Sequence, residues 1–229
     1  MEFATWEPVY EAILADFGYD RTADEQARDG LAELVDPFDL SRLEFGSGTT
    51  VAVAGAGPSL ADEVAIARAA DVVFAASTAA DVLAAADVRV DCLVTDLDKN
   101  PRTTRALTEA GVPVAVHAHG DNRPALERWV PQFAPDAVLA TTQAKPTRTV
   151  RNFGGFTDGD RAAFLADHLG AARLVFPGWD FDDPGVGPAK RRKLQWAERL
   201  LHWLEVRRRE PFAVLDGRRR EIDRTSLPL

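Results

Sequence analysis

The chain has a single cysteine, Cys92, in 229 residues. That excludes an intramolecular disulfide and any cysteine-cluster metal site, and its place in an apolar run makes it a small core residue. Long apolar runs are missing too. Nothing approaches the length of a membrane span, and the N-terminus, with Glu2, Glu7 and Glu11, lacks the basic flank of a signal peptide. A soluble cytoplasmic protein with no membrane partner is expected. Basic charge is scarce: the net charge of −9 argues against nucleic acid as a general partner, because such binding relies on a basic surface that neutralises phosphates. Only four lysines, Lys99, Lys145, Lys190 and Lys193, accompany the many arginines, a bias that fits either salt adaptation or GC-rich coding. What is present is ordinary for a globular protein. Hydrophobic residues make up 46% and charged residues 28%, enough for one main domain with added elements and no long disorder.

From the N-terminus, Trp6, Val9, Tyr10, Ile13, Leu14 and Phe17 recur at helical spacing, with Thr5 as the expected N-cap and Gly18 as the stop. A second helix is expected from the capping box Thr22-x-x-Glu25 through Leu31, Leu34 and Val35 to Asp36-Pro37. Residues 1–46 therefore read as an N-terminal helical appendage that makes core contacts and carries no catalytic residue. Residues 47–229 read as an α/β catalytic domain. Candidate strands at 50–54, 72–76, 90–95, 112–116, 137–141 and 172–176 alternate with helices near 60–69, 79–85, 102–110, 122–129 and 158–169. This alternation argues a mostly parallel sheet with helices on both faces, and ligands in such folds bind at the carboxyl ends of strands. A long helix, 188–208, follows, and Asp216-Gly217 suggests a terminal hairpin between Phe212–Leu215 and Arg220–Ile222.

Chemistry-bearing residues gather at the expected strand ends. The run Val90–Thr95 ends in Asp96-Leu97-Asp98; in an extended chain both carboxylates face one way, and such a pair attracts a cation. Mg²⁺, held by one or two carboxylates plus substrate phosphates, suits that geometry, although two helix-capping aspartates would read the same. Gly55-Ala56-Gly57-Pro58-Ser59 follows a strand and offers backbone N–H groups and a helix N-terminus to a phosphate, or simply a tight turn. It lacks the third glycine of a dinucleotide fingerprint and the Lys-Ser/Thr pair of a P-loop. His117-Ala118-His119-Gly120-Asp121-Asn122 ends the next strand and places two imidazoles and Asp121 near the acidic pair. In Asn152-Phe153-Gly154-Gly155-Phe156-Thr157-Asp158 a glycine pair flanked by aromatics suggests a loop closing over a flat ring while Arg161 reaches phosphate; Asp158 or Thr157 can also be a plain helix cap. Asp180, in Gly178-Trp179-Asp180-Phe181, can read the N–H groups of a heterocycle, and Lys190 and Lys193 open the long helix as phosphate contacts or as a solvated basic patch.

Taken together, GxGPSL, VTDLD, HAHGDN, NFGGFTDGDRA and GWDF, spread from Gly55 to Lys193, resemble the archaeal 6-hydroxymethyl-7,8-dihydropterin pyrophosphokinase family, which is similar in catalytic architecture to thiamin pyrophosphokinases. The resemblance implies a thiamin pyrophosphokinase-like α/β fold and Mg²⁺-dependent transfer of diphosphate from ATP to the pterin hydroxymethyl group, with release of AMP, on the route to tetrahydromethanopterin or folate. It implies metal binding by Asp96 and Asp98, joined by Asp121, with His119 and Arg161 completing the catalytic set. Gly55, Gly57, Ser59, Asn122, Lys190 and Lys193 would bind the nucleotide, and Asn152, Phe153, Phe156, Asp158 and Asp180 the pterin. Histidines stand in the 119–122 block where thiamin enzymes are more acidic. A homo-oligomer is compatible with this reading. The competing readings are thiamin as acceptor, a D-x-D sugar-nucleotide glycosyltransferase, and a non-enzymatic nucleotide-binding module.

Overall fold

Apolar side chains of the strands alternate between two cores. In Thr50–Ala54 (β1), Val51 and Val53 enter one core and Ala52 and Ala54 the other; Phe74 and Val73 divide the same way in Val72–Ala76 (β2). Period-two patterning with apolar residues on both sides is what a sheet covered on both faces requires. The computed structural model describes residues 1–229. Cys92–Thr95 (β3), Val114–Ala118 (β4), Val138–Thr142 (β5) and Arg173–Val175 (β6) complete a six-stranded, all-parallel sheet in the order β5-β4-β3-β2-β1-β6.

Phe3–Phe17 (α1) and Arg21–Ala32 (α2) precede the sheet, and Leu60–Ala69 (α3), Ala79–Ala85 (α4), Pro101–Glu109 (α5) and Arg123–Trp129 (α6) connect β1 to β5 in sequence. The buried side chains of α3, α4 and α6, with Ala27 and Leu31 of α2, fill one core. Asp158–His168 (α7) then packs across β1, β2 and β3 on the other face as the chain returns to β6, beside β1, and Pro188–Arg208 (α8) and α1 complete that core. The residues read as an N-terminal appendage thus contribute to both cores. The crossover that leaves β1, through α3, and the one that enters β6, through α7, lie on opposite faces, so a crevice opens at the carboxyl ends of the strands.

The expected strands and helices of the strand-helix repeat all form, and four local expectations change. α1 starts at Phe3, with Thr5 already inside its first turn, and α2 is capped by Asp20, whose carboxylate accepts from the Thr22 N–H at 2.9 Å. α2 ends at Ala32, where a tight turn joins the Leu34 N–H to the Leu31 carbonyl, short of Val35. The terminal hairpin does not form. Residues Ala213–Leu215 make a 3₁₀ turn, which brings Phe212, Leu215 and then Ile222 into the first core; apolar residues three apart suit a turn of that pitch, not a two-residue pleat.

Candidate active site

A cavity of about 580 Å³ opens at the carboxyl ends of the strands. Asp96 and Asp98 line it, but not as consecutive same-side residues of an extended strand. β3 stops at Thr95, and Leu97 turns into the left-handed region at φ 66°. The Leu97 N–H donates to Thr95 Oγ1 at 3.0 Å and the Asp98 N–H to Asp96 Oδ1 at 3.2 Å. The carboxylates therefore meet through a turn whose strained leucine costs roughly 1–2 kcal/mol, held in place by the burial of its side chain. Burial would raise the Asp96 carboxyl, but the hydrogen bond from His119 and the charge of Arg161 outweigh it and hold it well below the usual carboxylate range. Burial and then the charge of Asp96 push Asp98 up. A partly buried and an exposed carboxylate that repel each other are a fitting seat for a hard divalent cation.

Around this pair the predicted residues divide. His119 Nε2 lies 3.4 Å from Asp96 Oδ2. His117 does not join it: its Nδ1 pairs with Thr141 Oγ1 at 3.1 Å, and burial, then Arg161, drive its pKa well below the ordinary value, so it is neutral. Asn122 is committed to the backbone. It donates to the carbonyls of Asp96 and His117 at 2.8 and 2.7 Å and accepts from the His119 N–H at 3.0 Å, clamping the ends of β3 and β4 together. Asp121 is exposed on the rim, and Asp96, Asp98 and Asp121 do not form a three-donor group. The preceding Gly120 N–H is held by Asp24 Oδ1 at 2.8 Å, and Asp121 follows it on the cavity rim.

In the glycine loop after β1 three amides are engaged: Gly55 N–H donates to the Pro177 carbonyl, Gly57 N–H to the Gly178 carbonyl and Ser59 N–H to Asp180 Oδ2, each at 2.9 Å, which leaves the Ala56 N–H at the cavity. A Cβ on Gly57 would collide with Asp180, so the glycines permit loop-to-loop packing at the crevice. Asp180 keeps its second oxygen for the cavity it lines.

Asn152 and Phe153 lie outside the cavity. The Asn152 amide donates to the Gln143 and Ala144 carbonyls, and Phe153 packs on His168 with ring centroids 4.7 Å apart, because the glycine pair, at φ 94° and 95°, folds the loop back onto the core. Phe156 lines the cavity, with Lys193 Nζ 6.0 Å from its ring centroid. The carboxylate of Asp160, not that of Asp158, closes the first turn of α7 on Thr157. Asp158 is left to pair with Arg161 at 3.0 Å; burial and the charge of Asp96 nevertheless push its carboxyl up to about 7. Lys99, Lys190 and Lys193 all line the cavity, and no lysine of the chain has a carboxylate partner.

Residues 28–185 match the family model described as 6-hydroxymethylpterin diphosphokinase MptE-like. The chain belongs to this family. It is accordingly an enzyme of the diphosphokinase class. Curated relatives named 6-hydroxymethyl-7,8-dihydropterin pyrophosphokinase include those of Methanothermobacter thermautotrophicus, 41% identical over 90% of this chain and 96% of the relative, and Pyrococcus furiosus, 38% identical over 90% and 95%. A third, from Methanocaldococcus jannaschii, is 28% identical over 90% of this chain and 96% of its own.

Within this family framework, Lys99, Asp24, Gln143 and Tyr19 also line the cavity, and none was singled out from the sequence. Lys99 carried a signal, as one of four lysines and next to the acidic pair. Asp24 carried none, because on an amphipathic helix an aspartate reads as solvated until tertiary packing buries it.

Proposed function

We propose that this protein transfers a diphosphate from ATP to the hydroxymethyl group of 6-hydroxymethyl-7,8-dihydropterin, releasing AMP, in the cytoplasm, and that the product feeds reduced-pterin cofactor synthesis. The observation that carries this reading is the union, in one cavity, of a carboxylate pair with three lysines that have no ion-pair partner. In a chain of net charge −9, unpaired ammonium groups converging on one site make it a receptor for a polyanion. Family membership points to the pterin as acceptor.

Asp96 and Asp98 would hold Mg²⁺, which would supply charge stabilisation to the phosphates in an in-line displacement. Lys99, Lys190 and Lys193 bind the polyphosphate and offset its charge. Burial, then Lys99, lowers the pKa of Lys190, which marks it as a poorly hydrated cation ready for an anionic partner. Arg161, steadied by Asp158, faces the same space and stabilises charge on the transferring group. Phe156, Trp179 and Phe181 supply flat apolar walls, and Asp180 an acceptor for the ring N–H groups of the acceptor molecule.

The test is AMP formation from ATP and Mg²⁺ with the dihydropterin, with thiamin as the parallel arm. AMP released only with the pterin supports the reading. AMP released with thiamin alone, or with neither acceptor, overturns it.

A further inference from the structure

Asp24 is 3% exposed, on a helix outside the strand-helix repeat, and accepts three hydrogen bonds. The Tyr10 hydroxyl donates to Oδ2 at 2.8 Å, Gln143 Nε2 to the same oxygen at 2.7 Å, and the Gly120 N–H to Oδ1 at 2.8 Å. The other end of the Gln143 amide, Oε1, accepts from Arg161 Nη2 at 3.2 Å. A carboxylate only accepts and a guanidinium only donates, so a group placed between them must do both, in one orientation. Gln143 is that group, and Asp24 fixes which way round it sits. At Gly120 the approach of α2 is so close that a Cβ would lie 2.7 Å from that of Ala23.

We propose that Asp24 is a positioning residue for the transfer reaction: through Gln143 it orients the Arg161 guanidinium. An Asn at position 24 turns one carboxylate oxygen into a donor. If that donor faces Gln143, the amide flips and presents its NH₂ to Arg161, which then meets donor with donor. The Gly120 N–H can only donate and keeps the remaining oxygen, which turns the new donor towards Gln143. Arg161 is disturbed while no residue expected to touch substrate has changed.

This inference rests on the diphosphate-transfer reading, and its test has one arm that does not. In Asp24→Asn, kcat should fall about 10- to 100-fold with the pterin KM essentially unchanged, as for a misplaced charge near the reacting group. Tyr10→Phe, which removes one hydrogen bond to Asp24 on the side away from the cavity, should lower the melting temperature and leave kcat as in the wild type. The double variant Asp24→Asn with Arg161→Lys should be no slower than Arg161→Lys alone. The ¹⁵N side-chain resonance of Arg161 in the ligand-free protein should shift or broaden in Asp24→Asn and stay in place in Tyr10→Phe. Should Asp24→Asn not fold, Gln143→Met, which keeps volume and breaks only the bridge, must show the same loss of kcat and the same change at Arg161. Wild-type kcat in Asp24→Asn, multiplicative effects in the double variant, or an unmoved Arg161 resonance would overturn the proposal. If the wild type releases no AMP, the functional reading fails, and the Arg161 resonance still decides this one.

Discussion

The side-chain amide of Asn122 donates to the main-chain carbonyl of Asp96 at 2.8 Å, so the carboxylate pair at the end of β3 is held from the end of β4. The same amide reaches the His117 carbonyl at 2.7 Å. Buried carbonyls left without a donor are costly, and Asn122→Ala should lower stability by about 1–3 kcal/mol in urea unfolding. It should also slow AMP formation, because Asp96 loses its anchor. Asn122→Asp, which sets an acceptor against two carbonyls, should be worse on both counts. Equal stability of the alanine variant and the wild type would show the clamp to be idle.

Asp96→Asn should keep the fold, since its side-chain partners are the exposed Asp98 amide and His119 at 3.4 Å, neither part of the core. Its expected loss is in turnover with Mg²⁺, at least about 100-fold, the scale of removing a charge-stabilising group from a transition state. Circular dichroism and the AMP assay on the same preparation separate the two effects. Near-normal turnover would remove Asp96 from the metal-binding role.

The lysines allow a test of anion binding without chemistry. Lys190→Met and Lys99→Met should each raise the ATP KM about tenfold, corresponding to roughly 1.4 kcal/mol for a charged contact. Lys145, which does not line the cavity, should tolerate the same change. Added salt should weaken ATP binding to the wild type more than to either cavity variant. If Lys145→Met were as damaging as Lys190→Met, a general field would account for binding and the cavity lysines would lose their assignment.

The fold was legible because β1 to β5 carry short Val- and Ala-rich runs bounded by helices of ordinary length, and local pattern suffices to locate such elements. The site was legible as far as residue type at strand ends carries it: Asp96, Asp98, His119, Asp158, Arg161, Asp180 and the two α8 lysines all reach the cavity. What failed were inferences about direction. Asp96 and Asp98 meet through a left-handed Leu97, and no spacing rule announces that turn. Asn152 and Phe153 look like loop residues poised over a ligand, yet two glycines with positive φ fold them inward. Asp24 enters the site from a helix outside the repeat, through contacts 96 and 119 residues away in sequence, beyond the reach of any local pattern.

The last prediction concerns the far end of α8, the helix whose first turns carry Lys190 and Lys193. Its C-terminal half is tied to the tail by Glu205, a buried carboxylate accepting from Arg219 Nη2 at 2.6 Å, from the Phe212 N–H at 2.6 Å and pairing with His202 Nδ1 at 3.1 Å. Burial alone would raise this carboxyl, but the Arg219, Phe212 and His202 bonds outweigh it and hold it below the ordinary glutamate value. A group depressed on folding stabilises the folded protein above its unfolded pKa and loses that contribution as pH falls through the folded one. Glu205→Gln, which leaves Arg219 only its exposed partner Asp216, should therefore cost about 1–3 kcal/mol near neutral pH, the scale of a lost hydrogen bond to a charged group. As pH falls towards the depressed folded-state value Glu205 becomes neutral like the glutamine, and the gap between the two proteins should shrink. Urea unfolding of the two proteins from pH 7 down to about pH 3 measures it, with ordinary Glu titration near 4.3 as the upper edge of the window. A gap that stays constant across that window would mean that the tail is held by the packing of Phe212 and Leu215 and not by the charge of Glu205.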